Sequence, residues 1–395
     1  MKFQYFISLL LALVLSNCSQ AIQQSEQIDA QEKEVVVTGA ERISEYLPLL
    51  KGRKVGLLVN HTSLIGDTHL LDTLLSLDAA VKKIYSPEHG FRGKADAGEQ
   101  VDNAIDTKTS LPIISLYGKH KKPTREDLTG IDVVIFDSQD VGARFFTYFS
   151  TMQYMMEACA ENGVQMIVLD RPNPNGHYVD GPVLEMENKS FVGMNPVPIV
   201  FGLTAGEYAQ MIVGENWISQ AEELNLTVIE MEGWDHSTPY SLTTKPSPNL
   251  PNDQSIALYP SLCLFEGTNV SVGRGTLMPF QIIGFPDSTF GEFVFTPISI
   301  DGMSKYPPYE GEKCFGLDLR NAKVKPQLDL SYLIDFYTKS PNKAEFFNSY
   351  FVKLAGTAQL QQQIEDGWTE VQIRKSWQVG LKDFKEKRKR YLLYE

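Results

Sequence analysis

Carboxylates and guanidinium groups are the reactive side chains that this sequence gathers into short polar segments. Glu88 stands in Ser86-Pro87-Glu88-His89-Gly90-Phe91-Arg92-Gly93. Asp137 and Asp140 stand in Asp137-Ser138-Gln139-Asp140-Val141-Gly142-Ala143-Arg144, and Asp170 opens Asp170-Arg171-Pro172-Asn173-Pro174-Asn175-Gly176. Such groups suit cleavage of a glycosidic bond. That reaction needs an acid to protonate the leaving oxygen and a second group to stabilise or attack the anomeric carbon. Glu88 is the first candidate acid, because a tight turn beyond a buried strand would desolvate it and raise its pKa. Asp137 and Asp140 are alternatives. The plain structural readings are that Glu88 caps a helix or pairs with Arg92, and that Asp170 pairs with Arg171. Arg92, Arg144, Arg171 and Arg274 could each hold an acidic sugar substituent through paired hydrogen bonds, although a single arginine is more often structural. Tyr117 could stack on a sugar ring or share a proton.

Other chemistries lack their signatures. A dinucleotide site wants Gly-x-Gly-x-x-Gly after the first strand, where this chain has Asn60-His61-Thr62-Ser63. No phosphate-cradling loop and no Gly-x-Ser-x-Gly elbow occurs, and the six histidines show no metal-ligand spacing. No cofactor and no metal is therefore expected. The net charge of -13 opposes phosphate backbones, so nucleic acid is not an expected partner. Of the four cysteines, Cys18, Cys159, Cys263 and Cys314, none forms a Cys-x-x-Cys pair, which argues against a disulfide framework. An apolar share of 43% with 22% charged residues is enough to bury a sizeable core.

The elements that must position these groups follow from the apolar runs. Val55 to Val59, Val81 to Tyr85, Leu111 to Leu116, Val133 to Phe136 and Met166 to Leu169 read as short strands buried on both faces. Helical stretches lie between them. The clearest is Phe149 to Glu161, with Met152, Met155, Met156 and Cys159 on one stripe and Asn162-Gly163 as its stop. This alternation predicts an α/β fold with a parallel, doubly wound sheet. Ligands bind such sheets beyond the carboxyl ends of the strands. The segments following the five runs begin at Asn60-His61, Ser86, Tyr117, Asp137 and Asp170, and they should converge on one rim.

A second segment, richer in Phe, Pro and Gly, begins near Tyr259-Pro260 and ends in a charged helical stretch from Thr369 to Tyr394. Within it, Lys382 to Arg390 reads as a solvated helix face. At the other end, Lys2 precedes an apolar run from Phe6 to Leu15, which closes in Leu15-Ser16-Asn17-Cys18. This resembles a signal peptide with a lipobox, although Asn17 stands where Gly or Ala is usual. The expected organisation is a signal segment over 1-18 with Cys18 lipidated, and a flexible tether over 19-38. A sheet domain over 39-258 and a smaller α+β domain over 259-395 would follow. The protein would be exported and attached to a bacterial membrane by the lipid anchor alone.

Several long, ordered motifs are similar to one family, the exo-β-N-acetylmuramidases of the NamZ type. They are Ser86 to Gly93, Ser115-Leu116-Tyr117-Gly118, Asp140-Val141-Gly142 with Arg144, and Asp170 to Gly176. Lys245-Pro246-Ser247-Pro248-Asn249 and Leu264 to Ser271 with Gly273-Arg274-Gly275-Thr276 complete the set. The resemblance runs from about residue 45 to the C-terminus. It implies a Rossmann-like domain followed by a smaller domain, with a cleft between them. It also implies hydrolysis of terminal β-1,4-linked N-acetylmuramic acid from non-reducing ends of peptidoglycan fragments. It places the catalytic glutamate on Glu88, with Tyr117 nearby. The partner of Glu88 stays open among Glu266, Asp137 or Asp140, and the 2-acetamido group of the substrate itself. Arg92, Arg144, Arg171 or Lys245 could meet the lactyl carboxylate. Asn60, His61, His89, Asp137, Gln139, Asp140, Asp170, Asn173, Asn175, Asn249, Asn269 and Arg274 complete the expected sugar-binding set. Two rival readings share these residues: a lipid-anchored sugar-binding protein without turnover, and an esterase or amidase acting on the same glycan.

Overall fold

The computed structural model describes residues 35–88, 90–91 and 103–394. The expectations for Cys18, His89 and Arg92 lie outside them. Strands β1 (Val55–Val59), β4 (Val81–Ser86), β6 (Pro112–Ser115), β7 (Val133–Asp137), β8 (Gln165–Leu169) and β9 (Leu226–Ile229) are parallel neighbours. A short β5 (Ala104–Ile105) adds an antiparallel edge, giving the order β5-β6-β4-β1-β7-β8-β9. The small hairpin of β2 (Leu64–Ile65) and β3 (Thr68–His69) lies in the connection after β1. The chain winds outward from β1 through β4 to β6, then returns to β7 and winds the other way. Its order reverses between β1 and β7, which is the Rossmann arrangement, with its ligand crevice at that reversal.

Burial explains why these runs are strands. All five residues of β1 and all five of β7 are buried. Val55, Leu57, Val59, Val133 and Ile135 face one core with Leu70, Leu71 and Leu74 of the helix Leu70–Ser76. Leu58, Val134, Phe136 and Val168 face the other, with Met152, Met155, Met156 and Cys159 of the helix Tyr148–Asn162. That helix stops at Gly163, whose φ of 65° is the left-handed conformation expected of a helix-ending glycine. Strand β9 did not stand out as an apolar run because Thr227 interrupts it and most of its residues are half-buried.

Val37–Glu395 forms one compact unit. The final residues of the expected tether already pack within it, since Val37 exchanges backbone hydrogen bonds with Glu232 and Thr38 is buried. The smaller C-terminal domain holds an antiparallel sheet of β10 (Ile282–Phe285), β12 (Cys314–Asp318) and β11 (Phe293–Phe295), surrounded by short helices. The expected division at 258 falls inside the helix Asp253–Leu262. One core spans both parts: Val141, Phe145 and Tyr148 from the sheet side pack with Tyr259, Phe265, Phe280, Phe336 and Phe351. The C-terminal stretch is two helices, Glu370–Ser376 and Gln378–Arg388, meeting at Trp377. Its charge run is not wholly solvated. Arg388 donates through Nε to the Gly202 carbonyl at 2.9 Å, and Lys387 and Arg390 both reach Glu215.

Candidate active site

A cleft of about 890 Å³ opens between the carboxyl edge of the large sheet and the C-terminal domain. Glu88, Tyr117, Thr147, Glu266, Arg274 and Tyr350 bring polar groups to it, and Phe145, Phe191 and Tyr259 supply aromatic surface. A small recess continues from it past Glu88, Asn249 and Arg274.

Glu88 is set by the turn that ends β4. The Gly90 N–H closes the turn on the Pro87 carbonyl at 3.1 Å, and the Gly90 φ of 74° suits a residue without Cβ. Phe91 then anchors the segment in the core, 5.0 Å edge-on from His69. The tip of β6 is stitched alongside by Leu116 N–H to the Ser86 carbonyl at 2.8 Å, so Tyr117 arrives next to Glu88. The Tyr117 hydroxyl is hydrogen-bonded to Glu88; burial, then the Glu88 charge and that bond, push its pKa well above the usual tyrosine value. Thr147 is the N-cap of the helix Tyr148–Asn162 but makes no side-chain cap bond. Its hydroxyl instead donates to Glu88 Oε2 at 2.8 Å.

The opposite wall comes from the turn Cys263–Gly267 and the loop after it. Arg274 Nε donates to Glu266 Oε1 at 2.5 Å, and the Cys263 thiol lies 3.6 Å from Glu266 Oε2. Gly273 and Gly275 flank Arg274 with φ of 78° and 79°. A Cβ on Gly273 would lie 2.5 Å from Ile282, and one on Gly275 would lie 2.6 Å from Pro307. Burial alone would lower the Arg274 pKa, but the Glu266 carboxylate outweighs it and the net shift is upward. On the Tyr117 side, the Lys121 ammonium sits 4.4 Å over the Phe191 ring.

Of the residues singled out in the sequence, the structure brings Glu88, Tyr117, Glu266 and Arg274 to the cleft and Asn249 to its recess. It spends most of the other described ones on the scaffold. Asp137 forms a buried ion pair with Arg171, whose Nη2 also donates to the Leu64 carbonyl at 2.9 Å. Asp170 accepts from Thr204 Oγ1 at 2.6 Å, Gly206 N–H at 2.9 Å and Tyr394 at 2.7 Å, and burial raises its pKa to about 6. Arg144 is buried and donates to four carbonyls, those of Pro182, Val197, Leu354 and Ala355, at 2.7–3.0 Å. Asn60 caps its own turn through Thr62, and Gln139 donates to the Asp140 and Pro172 carbonyls. His61 bonds the Lys245 carbonyl at 2.8 Å, while the Lys245 side chain is exposed. Asn173 donates to the Leu203 carbonyl, and its Oδ1 fills the space where Gly142 would carry a Cβ. Asn175 donates to the Ile256 carbonyl at 3.2 Å. That carbonyl lacks its helical partner because Pro260, four residues on, has no N–H. The Asn269 backbone bonds Phe346 and Tyr309.

Asp140 takes a different place. Its Oδ1 accepts from the Gly142 N–H at 2.7 Å, while its buried Oδ2 has no hydrogen-bond partner among the described residues. Burial outweighs the backbone bonds and lifts its pKa to about 8, so it is an uncharged acid at neutral pH. Thr147, Tyr350, Phe191 and Lys121 were not singled out in the sequence. Thr147 follows the Asp137–Arg144 segment closely and had that positional signal; the others come from separate loops with none.

A doubly wound α/β domain, completed by a smaller domain across a cleft with a carboxylate on each wall, defines a class of two-part α/β proteins with a catalytic-type crevice. Within that class, the chain belongs to the exo-β-N-acetylmuramidase NamZ family, whose N-terminal model matches residues 55–254 and whose C-terminal model matches residues 257–394. It is 38% identical over 388 residues to the peptidoglycan β-N-acetylmuramidase NamZ of Bacillus subtilis (strain 168), covering 92% of each chain. Two crystal structures of DUF1343 family proteins from Bacteroides fragilis NCTC 9343 share its fold. One is 45% identical with a TM-score of 0.85, covering 92% of this chain and 99% of that one. The other is 30% identical with a TM-score of 0.78, covering 91% and 99%.

Proposed function

We propose that this protein is an exo-acting glycoside hydrolase that releases terminal β-1,4-linked N-acetylmuramic acid from the non-reducing ends of peptidoglycan fragments. The observation that carries this reading is Glu88, held at the cleft by Thr147 and Tyr117 in a chain of this family. Glu88 gives its proton to the glycosidic oxygen as the bond to the anomeric carbon breaks. Water supplies the hydroxyl that ends on that carbon and the proton that restores Glu88. Tyr117, kept as a neutral phenol by its raised pKa, and Thr147 orient the carboxyl. Glu266 already accepts from Arg274, so its part is to hold that guanidinium. The same proposal includes export and lipid attachment through Cys18, which the apolar run from Phe6 to Leu15 supports.

The test uses the form lacking residues 1 to 18, a nitrophenyl β-N-acetylmuramide, and a disaccharide ending in N-acetylmuramic acid. Both should be cleaved. Glu88→Gln keeps the shape and removes the proton, so disaccharide turnover should fall about 10²–10⁴-fold with an unchanged melting temperature. The nitrophenyl substrate, whose leaving group needs little protonation, should suffer less. Normal disaccharide turnover by this variant ends the assignment of Glu88. Tight binding with no turnover by the unaltered protein would mark a capture protein instead.

A further inference from the structure

Among the described residues lining the cleft, the cations Lys121, Arg274 and Lys305 outnumber the carboxylates Glu88 and Glu266, in a chain whose net charge is -13. The cleft is thus locally basic in an acidic protein, which favours an anionic ligand. The three cations are not equivalent. Lys305 is exposed, and Lys121 already lies over Phe191. Arg274 has a side chain only 20% exposed, a backbone fixed by two left-handed glycines, and Nε committed to Glu266. Its Nη1 is buried and has no hydrogen-bond partner among the described residues. A charged donor left without an acceptor is costly, and the guanidinium that carries it lines the cleft, where it can meet an acceptor from outside the chain. The planar fork of a guanidinium suits a carboxylate.

N-acetylmuramic acid differs from N-acetylglucosamine by a lactyl ether that ends in a carboxylate. We infer that the Arg274 guanidinium receives this lactyl carboxylate, and that Glu266 is a positioning residue that holds the guanidinium for it. The inference rests on the glycosidase reading above and adds to it the group that distinguishes the two sugars. Arg144 and Arg171, the other candidates among the described arginines, are held by carbonyls and by Asp137 and do not line the cleft.

The experiment compares kcat/KM for nitrophenyl β-N-acetylmuramide and for its lactyl methyl ester, which share one leaving group and differ only in the charge. The unaltered protein should prefer the free acid. Arg274→Lys, which keeps a cationic partner for Glu266, should shrink that preference about 10–100-fold, chiefly through KM. Glu266→Gln should shrink it in the same direction, and Glu88→Gln should slow both substrates alike. Equal losses on acid and ester in the Arg274 variant overturn the inference while leaving the glycosidase reading intact. No cleavage of either substrate by the unaltered protein overturns both. Inhibition by free N-acetylmuramic acid gives a second reading that needs no variant. Its methyl ester should inhibit the unaltered protein more weakly, and equal inhibition sinks the assignment.

Discussion

At the scale of single residues, chemistry and scaffold are separated by what each polar atom already touches. Glu88 and Asp140 are both carboxyls beyond strand ends, yet one meets two hydroxyls at a cleft and the other is buried outside its lining. Asp140 makes its own prediction. Its folded pKa of about 8 lies above the ordinary value of 3.8. Between those values the folded chain holds a proton that the unfolded chain has released, so this group's contribution to stability falls as pH rises from 4 to 8. Asp140→Asn removes that titration while keeping the shape and the acceptor for Gly142. Compared by thermal unfolding, the variant should gain on the parent by a few kcal/mol between pH 5 and pH 8, an order-of-magnitude figure from linkage. A constant difference across that range would show that Asp140 does not titrate there.

At the scale of elements, the sequence was informative about strands and much less so about what their tips do. The runs Val55 to Val59 and Val133 to Phe136 are legible because a strand covered on both faces leaves an unbroken apolar signature. The polar segments after β1, β4, β6, β7 and β8 do share the carboxyl edge of the sheet, as that pattern implies. Among the described residues, the segments after β4 and β6 carry side chains into the cleft, and beyond the segments after β7 and β8 the same connections reach it at Thr147 and Phe191. Asn175 shows why the rest stayed hidden. Its use depends on a carbonyl freed by Pro260 in a helix 85 residues away, a pairing that spacing along the chain does not report. Arg144 is similar, since two of its four acceptors, Leu354 and Ala355, end the helix Phe351–Ala355. That helix follows Tyr350, which lines the cleft. Arg144→Met would strip the donors from four buried carbonyls, and it should cost roughly 3–5 kcal/mol in denaturant unfolding. Sugar specificity should be retained in the molecules that remain folded. A stability loss near zero, or a selective loss of the muramide preference, would contradict a purely scaffolding role.

At the scale of the whole molecule, the motifs that carry the resemblance lie in both parts of the fold, and Glu88 and Arg274 stand on opposite walls of the cleft between them. Attachment also belongs to this scale. Cells making the full chain should incorporate labelled palmitate into it and hold it in the membrane fraction, and Cys18→Ser should abolish the labelling. Unchanged labelling in that variant would remove the anchor from the proposal. The core shared by the two domains has a mechanical corollary. Phe145 and Tyr259 meet edge to face at 5.3 Å directly beside the cleft, and both belong to a hydrophobic layer running beneath its floor. Prising the walls apart would expose that aromatic layer to water. The shared layer therefore opposes a hinge motion of the two walls, unlike the open hinge of a clamshell receptor that swings shut on its cargo.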